Sequence, residues 1–212
     1  KSPFRLKLEK ILCRLSEKVV VNAHAIKAML VENGIPKNKI DVIYNGLNTD
    51  YFKPASTDAV SLFRQSHGIA ETDVVFLLPG RMTPQKNHIS VLRALAHADS
   101  IPENIKILFV GNEFFQTIKE ELLDFSEKYN LSKHIIYAGP SNDMPLVYSA
   151  CDCVILPSLW EGLPNAAIEA MACGKPVIAS DVSDNKRILN VLGENFIFSV
   201  DDDVVFLDKI LS

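Results

Sequence analysis

Residues 154–179, VILPSLWEGLPNAAIEAMACGKPVIA, contain the elements of one strand–helix–strand unit. The stretch begins and ends with short aliphatic runs, 154–156 and 177–179, of the kind that form strands buried on both faces. Pro164 and Gly174 bracket the residues between these runs, which is typical of the start and the end of a helix. Two strands that a helix connects predict a parallel pair with a crossover.

The same alternation extends over most of the chain. Short aliphatic or β-branched runs occur at 74–78, 105–110, 135–137, 154–156, 177–179 and 196–200. Helical stretches are predicted at 87–98, 114–129, 144–150, 165–172, 185–191 and 204–211. Buried runs that alternate with helices predict an α/β fold with a doubly wound parallel sheet, for which the common strand order is 3-2-1-4-5-6.

Residues 1–44 follow a different pattern. The first 18 residues contain six Lys or Arg and two Glu, and their apolar residues at 4, 8, 11, 12 and 15 are spaced for one face of a helix. A basic amphipathic helix is compatible with contact to an anionic membrane surface, but we favour a surface helix that packs on its own domain. A turn signal at Asn45-Gly46 precedes a polar segment, 48–58, which predicts a loop. We therefore divide the chain into 1–44 and 45–212.

Composition excludes several functional classes. The 212 residues are 48% hydrophobic and carry a net charge of −4, so the chain has no general electrostatic reason to bind nucleic acid. No apolar run reaches the ~18 residues of a membrane span. The four cysteines lie among apolar residues without metal-ligand spacing, which indicates buried, reduced thiols in a cytoplasmic protein. Because the first residue is Lys1, we expect the chain to begin at a processing site or inside a longer protein.

Ligands of a doubly wound sheet bind at the carboxyl ends of the strands, where the strand order reverses. In the expected order this crevice lies between the first and the fourth strand. The first strand is followed by a turn with Arg81 and Lys86, two cations that suit a diphosphate, although cations in loops are commonly just solvated. The fourth strand is followed by Glu161 and by the start of the helix at 165–172, whose free N–H groups form an anion site.

Glu169 lies in the middle of that helix among small and apolar residues, so we expect its side chain to be buried. A buried carboxylate is costly without hydrogen-bond donors, and the hydroxyls of a ribose would supply them. The alternative is a glutamate that reaches solvent along a narrow polar stripe. Glu161 could be an ordinary loop acid, but its place at the crevice beside Trp160 favours contact with a polar ligand.

Three motifs occur together in this chain. Residues 80–87, GRMTPQKN, form a G-R-x4-K-N turn. Residues 157–164, PSLWEGLP, and 169–178, EAMACGKPVI, form an E-x7-E block, and residues 45–54, NGLNTDYFKP, precede both. Together these motifs resemble the retaining GT-B glycosyltransferases of family 4 (group 1), mainly their C-terminal nucleotide-sugar-binding domain. The resemblance covers essentially the whole chain, and the E-x7-E block is its most specific part.

The resemblance implies a Rossmann-like domain that binds a nucleotide-diphospho-sugar as its donor substrate. In this domain Arg81 and Lys86 would neutralise the leaving diphosphate, Glu161 would hold hydroxyls of the donor sugar, and Glu169 would hold the ribose. The loop 137–139 would lie beside the base. The further donor-binding positions that the resemblance implies are Gly80, Tyr137, Gly139, Gly162, Leu163 and Asn165. The resemblance also implies that the acceptor attacks from the face that the leaving group leaves, so no protein nucleophile, metal or other cofactor is expected.

For the whole protein, the resemblance implies a hexosyltransferase that acts with retention on a carbohydrate or lipid-linked acceptor. We expect it in the cytoplasm, or peripherally at the inner face of the membrane. Residues 1–44 would be the last elements of an acceptor-side domain, and the family's final crossover helix would be missing after Ser212, so that this piece binds donor but transfers weakly or not at all. The alternatives are a non-catalytic, regulatory nucleotide-sugar binder and a dehydrogenase, which the lack of a G-x-G-x-x-G turn disfavours.

Overall fold

The computed structural model describes residues 11–113, 115–193 and 196–211. Within these ranges the strands form two parallel sheets. The smaller sheet pairs the first two strands, β1 (Val19–Val21) and β2 (Ile40–Val42). The larger sheet contains β3 (Val74–Pro79), β4 (Ile105–Val110), β5 (Ile135–Gly139), β6 (Cys153–Leu156), β7 (Val177–Ser180) and β8 (Ile197–Phe198).

The six-stranded sheet has the spatial order β5-β4-β3-β6-β7-β8. Counted from β3, this is the expected order 3-2-1-4-5-6, and the predicted doubly wound parallel fold is confirmed. Successive residues of β3 point into different cores, because side chains alternate across a strand. Phe76 and Leu78 belong to one hydrophobic core, and Val75 and Leu77 belong to the other. The aliphatic run therefore marks a strand that is covered on both faces.

Helices cover both faces of the larger sheet. These helices are α2 (Thr57–Ser66), α3 (His88–Ala96), α4 (Gln116–Lys128), α5 (Met144–Ala150), α6 (Asn165–Ala172), α7 (Asn185–Leu189) and α8 (Asp203–Leu211), whereas α1 (His24–Glu32) contacts β1 and β2 of the smaller sheet. One core lies beneath α3, α4 and α8, and the other lies beneath α2, α5, α6 and α7. In the part of the chain that the structure describes, no helix is both long and apolar enough to cross a membrane.

The predicted basic amphipathic helix lies partly outside the described residues, which begin at position 11. Residues 11–15 are helical, but Ile11, Leu12 and Leu15 are all exposed. The sequence favours a helix whose apolar face packs on its own domain. Within residues 11–15 this expectation is wrong, because the apolar face is exposed. The apolar spacing was sufficient to predict the helix, but it did not predict whether other elements pack against its apolar face.

Two other segments differ from the sequence prediction. Helix α2 follows the polar loop and was not predicted; it begins where the Ser56 side chain accepts a hydrogen bond from the Ala59 N–H group at 3.4 Å. The predicted helix at 185–191 divides into α7 and a short 3-10 turn at 190–192. Neither difference alters the carboxyl edge of the sheet, where the loops after β3, β4 and β6 lie.

Candidate functional site

A cavity of about 300 Å³ lies at the carboxyl edge of the sheet. It is an open cleft, bounded by the loops after β3, β4 and β5 and by helices α5 and α6. Its lining brings together four of the predicted site residues, Gly80, Arg81, Lys86 and Glu169. The rest of the lining consists of Pro79, Val110, Gly111, Asn112, Pro140, Ser141, Met144, Tyr148 and Ala166. The cavity lies at the predicted edge and includes the loop after β3, but the loop after β6, residues 157–164, contributes no residue to its lining.

The floor of this cavity is made by two touching backbones. A Cβ atom at Gly111 would lie 2.0 Å from the carbonyl oxygen of Gly80, so no side chain fits there. The loops are also joined by hydrogen bonds from Gly80 N–H to Val110 O at 2.8 Å and from Met82 N–H to Asn112 O at 3.0 Å. This close approach fixes the turn that carries Arg81 and Lys86.

Lys86 and Glu161 form an ion pair beside the cavity. The Lys86 Nζ atom lies 2.6 Å from Glu161 Oε1, and the Glu161 side chain is only 8% exposed. Lys86 ends a 3-10 turn, Pro84–Lys86, and the next residue, Asn87, adopts a left-handed conformation with φ of 51°. The Asn87 side chain donates a hydrogen bond to Pro157 O at 3.1 Å. The loops after β3 and β6 are thus joined by an ion pair and by a side-chain hydrogen bond.

Further groups hold the Glu161 carboxylate in place. The buried Ser158 hydroxyl donates to Glu161 Oε1 at 2.6 Å. The Gln85 amide donates to Trp160 O at 2.9 Å and lies 3.4 Å from Glu161 Oε2. Glu161 does not line the cavity and reaches it through Lys86. The sequence signal for this contact is a serine three positions before the glutamate.

Glu169 receives its hydrogen bond from a residue that the sequence analysis did not single out. The Tyr148 hydroxyl, on α5, donates to Glu169 Oε2 at 2.8 Å. Burial and the nearby Glu169 charge both raise the pKa of Tyr148, so its hydroxyl stays protonated. Glu169 itself is half-buried rather than enclosed all round. Tyr148 carries one of few polar groups in an otherwise apolar helix, and this was the available signal.

Three predicted donor-binding residues near the start of α6 lie outside this cavity. A Cβ atom at Gly162 would lie 3.5 Å from Ile26 Cδ1, so this glycine faces the N-terminal segment. The Leu163 side chain is buried. Asn165 lines an adjoining cavity of about 270 Å³, which shares Glu169 with the first cavity, and its Oδ1 accepts from Asn45 Nδ2 at 3.1 Å.

The Tyr137 side chain also points away from the cavity. Its ring packs against Phe109, 5.4 Å between centroids, in the core beneath α3 and α4. Its hydroxyl is buried without a hydrogen-bond partner in the described part of the chain, and burial raises the pKa of Tyr137 to about 12. Gly139 ends β5 and accepts a hydrogen bond from Gly111 N–H. The cavity lining at this edge begins with the next two residues, Pro140 and Ser141.

The positive charge of the cavity lining comes from Arg81 and Lys86. The neighbouring His88 is buried against Phe109 and contributes none at neutral pH. Burial, with a smaller effect of the Lys86 charge, lowers the pKa of His88 to about 4. An anionic ligand in this cavity would therefore meet Arg81 and Lys86, without a further positive charge from His88.

The N-terminal segment is tied to the loop after β7 by a buried carboxylate. Asp184 accepts hydrogen bonds from the backbone N–H groups of His24 at 2.7 Å and Ala25 at 2.8 Å, and from the Tyr44 hydroxyl at 2.9 Å. Burial opposes the charge of Asp184, but these donors outweigh it, so the pKa of the carboxyl lies below its ordinary value.

No metal site is evident in residues 11–113, 115–193 and 196–211, where no three His, Cys, Asp or Glu side chains come together as ligands. The run Asp201-Asp202-Asp203 serves as the start of α8. Asp202 Oδ1 accepts from Val205 N–H at 2.9 Å, and Asp203 pairs with Arg93 at 2.9 Å.

The sequence model of the family described as "Glycosyl transferases group 1" matches residues 60–212. This is well over half of the chain, and the chain therefore belongs to that family. The model described as "Glycosyltransferase Family 4" matches residues 1–51. The resemblance to group 1 glycosyltransferases, inferred from the G-R-x4-K-N turn and the E-x7-E block, is thereby confirmed.

Individual relatives agree with the family assignment. The UDP-Gal:alpha-D-GlcNAc-diphosphoundecaprenol alpha-1,3-galactosyltransferase of Escherichia coli is 30% identical over 176 residues, which cover 82% of this chain and 44% of that enzyme. The D-inositol 3-phosphate glycosyltransferase of Mycolicibacterium smegmatis is 28% identical over 172 residues, covering 79% of this chain and 38% of that enzyme. This chain therefore spans less than half the length of either relative.

Solved structures show the same architecture. HepE of Anabaena in complex with UDP superimposes with a TM-score of 0.88 at 25% identity, over 99% of this chain and 57% of HepE. HepE in complex with UDP-glucose gives a TM-score of 0.87 over the same shares of both chains. The Rossmann-like GT-B fold expected from the sequence is confirmed.

Proposed function

We propose that this chain is the donor-binding part of a retaining hexosyltransferase, which transfers a hexosyl unit from a nucleotide-diphospho-sugar to a carbohydrate or lipid-linked acceptor. The observation that carries the proposal is the cavity at the carboxyl edge of the sheet, where Arg81, Lys86 and Glu169 share one lining. Two cations beside one carboxylate suit a ligand in which a diphosphate is joined to a ribose.

The geometry supports different roles for the two cations, for Glu169 and for Glu161, each toward a different part of the donor. Arg81 and Lys86 would stabilise the negative charge that develops on the diphosphate as the bond to the sugar breaks. Glu169, already oriented by Tyr148, would accept hydrogen bonds from the ribose hydroxyls. Glu161, held at 2.6 Å from Lys86, would accept them from the sugar. The two cations supply this stabilisation from the protein, so we propose a reaction without metal, with the acceptor attacking from the face that the diphosphate leaves.

Relatives support a UDP-linked hexose as the donor. HepE is described in complexes with UDP and with UDP-glucose, and the E. coli relative is named for UDP-Gal and a diphosphoundecaprenol acceptor. Because the relatives are longer than this chain, we assign recognition of the acceptor to a region outside the matched part. We place the reaction in the cytoplasm, with the inner face of the membrane as the location of a lipid-linked acceptor.

Isothermal titration calorimetry with UDP, GDP and ADP tests the proposal. Wild-type protein should bind at least one of the three. Arg81→Ala and Glu169→Ala should each weaken this binding about tenfold or more, the loss expected from one charge-assisted hydrogen bond. Lys106→Ala is the matched control, because Lys106 lies near the amino end of β4, at the opposite edge of the sheet, and should bind like wild type.

Two results would contradict the proposal. Absence of binding to all three nucleotides by a folded wild-type protein would reject a donor site in this cavity. Equal affinities for wild type, Arg81→Ala and Glu169→Ala would show that a nucleotide binds elsewhere.

A further inference from the structure

The main chain of Glu161 is held by one side chain from a different loop. The Ser183 hydroxyl donates to Glu161 O at 2.7 Å and accepts from Glu161 N–H at 3.1 Å. One hydroxyl therefore satisfies both backbone groups of the residue that we assign to the donor sugar. Ser183 lies 22 positions further along the chain, in the loop after β7.

Ser183 makes these contacts in an unfavourable backbone conformation. Its φ of 53° lies in the left-handed region, which non-glycine residues seldom adopt. A glycine would adopt this conformation without strain but would lack the hydroxyl. The side chain of this strained serine makes two specific hydrogen bonds to one residue. This combination indicates that the hydroxyl has a functional role that offsets the strain.

The loop that carries Ser183 is itself firmly held. The preceding strand ends at Ser180, whose hydroxyl donates to Ser158 O at 2.7 Å. On the other side, Asp184 is fixed by three hydrogen bonds from the N-terminal segment. The buried Asn185 side chain closes the loop by donating to Ser180 O at 2.9 Å. Ser183 thus projects from a braced loop onto Glu161.

We propose that Ser183 is a positioning residue for Glu161. By fixing the main chain of Glu161, its hydroxyl keeps the carboxylate in contact with Lys86 and Ser158 and aligned with the hydroxyls of the donor sugar. This inference rests on the proposed function, since it requires Glu161 to contact the sugar. Ser183 would therefore affect the recognition of the sugar and leave the recognition of the nucleotide unchanged.

The test compares a nucleoside diphosphate with its glycosylated form in the full chain. Calorimetry with UDP and UDP-glucose, GDP and GDP-mannose, and ADP and ADP-glucose identifies the pair that wild type binds most tightly. For this pair, the ratio of the two dissociation constants measures the contribution of the sugar. Ser183→Ala and Ser183→Gly should both reduce that contribution about fivefold, as expected for loss of a neutral hydrogen bond, and leave the affinity for the nucleotide within about twofold of wild type.

Two further variants make the result interpretable. Asn130→Gly relieves another left-handed residue, φ of 55°, which precedes the amino end of β5 and does not line the cavity, and it should leave the sugar contribution unchanged. Glu161→Gln should reduce that contribution at least as much as the Ser183 variants. Because Ser183→Gly also relieves strain, a fall in its sugar contribution without a fall in melting temperature excludes simple unfolding.

Each outcome has a distinct meaning. If Glu161→Gln lowers the sugar contribution and both Ser183 variants match wild type, the inference about Ser183 is overturned and the proposed function stands. If Glu161→Gln has no effect, the assigned sugar contact is wrong. If wild type binds none of the three pairs, the proposed function fails, and the role of Ser183 fails with it.

Discussion

Tyr148 determines which oxygen of Glu169 is available to a ligand. Its buried hydroxyl donates to Oε2, and Oε1 has no hydrogen bond to any described residue. Because burial and the Glu169 charge raise the pKa of Tyr148, the hydroxyl remains a donor at neutral pH. The carboxylate is therefore oriented before a ligand arrives, which reduces the entropy lost on binding.

This preorganisation predicts the behaviour of Tyr148→Phe. The variant removes one hydrogen bond to a half-buried carboxylate and should lower the free energy of unfolding by about 1–2 kcal/mol. It should also weaken nucleotide binding several-fold, since Glu169 can then adopt other rotamers. Urea denaturation and calorimetry measure the two effects. Tyr129→Phe is the matched control and should change neither, because Tyr129 is 42% exposed and its hydroxyl makes no hydrogen bond to a described residue. Unchanged nucleotide affinity in Tyr148→Phe would contradict the orienting role.

The sequence indicated that the Glu169 carboxylate needs hydrogen-bond donors, but it did not identify which residue provides them. Small apolar neighbours showed that the carboxylate would need donors, and we assigned that role to ribose hydroxyls. The structure supplies one donor internally, from a tyrosine 21 positions away. The pairing depends on how α5 packs beside α6, and local pattern contains no information on that packing. Arg81 and Lys86 were easier to place, because the turn that carries them directly follows a predictable strand.

Helix α1 obtains its N-terminal cap from a distant element. Ala23, at the N-cap position, has no side chain that could accept a hydrogen bond from the first turn. Asp184 supplies the missing acceptor, and its charge interacts favourably with the helix dipole. The loop after β7 and the N-terminal segment are thereby joined through a charged group. The same loop contacts Glu161 through Ser183, so it connects the segment to the candidate site.

The low pKa of Asp184 predicts a pH-dependent loss of this link. Asp184→Asn should lower the free energy of unfolding by about 1–2 kcal/mol at pH 7, the usual range for a helix cap. Because the folded pKa lies below the unfolded value of about 3.9, the stabilisation is fully present above that value. It is lost as the pH falls through the folded pKa. The difference between wild type and variant should therefore be constant from about pH 7 to 5 and shrink below about pH 4.

Urea denaturation at a series of pH values measures this difference. Asp124→Asn, at an exposed position in the middle of α4, is the control and should show little effect at any pH. The prediction is wrong if the difference in free energy of unfolding between wild type and Asp184→Asn increases as the pH falls. Such an increase would have the opposite sign to that expected for a carboxylate stabilised by hydrogen-bond donors.

Whole-molecule topology was the most predictable level of this protein. Alternation of buried strands with helices determines a doubly wound sheet, since a parallel pair needs a crossover and crossovers share one hand. Strand order then indicated the carboxyl edge beside β3, although the cavity found there is lined by the loops after β4 and β5 and not by the loop after β6. The surroundings of residues 11–15 could not be inferred in this way. Apolar spacing shows which face of a helix is hydrophobic, but whether another element buries that face depends on the rest of the fold.

The cavity also predicts how a ligand should affect the molecule as a whole. Its lining comes from three separate loops and two helices, so a bound nucleotide-sugar would contact all five elements at once. A ligand at a hundred times its dissociation constant stabilises the folded state by about 2.7 kcal/mol. For a domain of this size, that corresponds to a rise in melting temperature of about 5–10 °C.

Thermal denaturation with UDP-glucose, and with free glucose as the control ligand, measures this shift. At the same ligand concentration, Arg81→Ala should lose about 3–5 °C of the rise, because tenfold weaker binding removes about 1.4 kcal/mol of linkage. Hydrogen exchange should slow together at 80–87, 111–113 and 140–141, since one ligand contacts all three loops. Protection limited to a single loop would mean that the ligand binds at the rim, and the shared lining of Arg81, Lys86 and Glu169 would then not be its site.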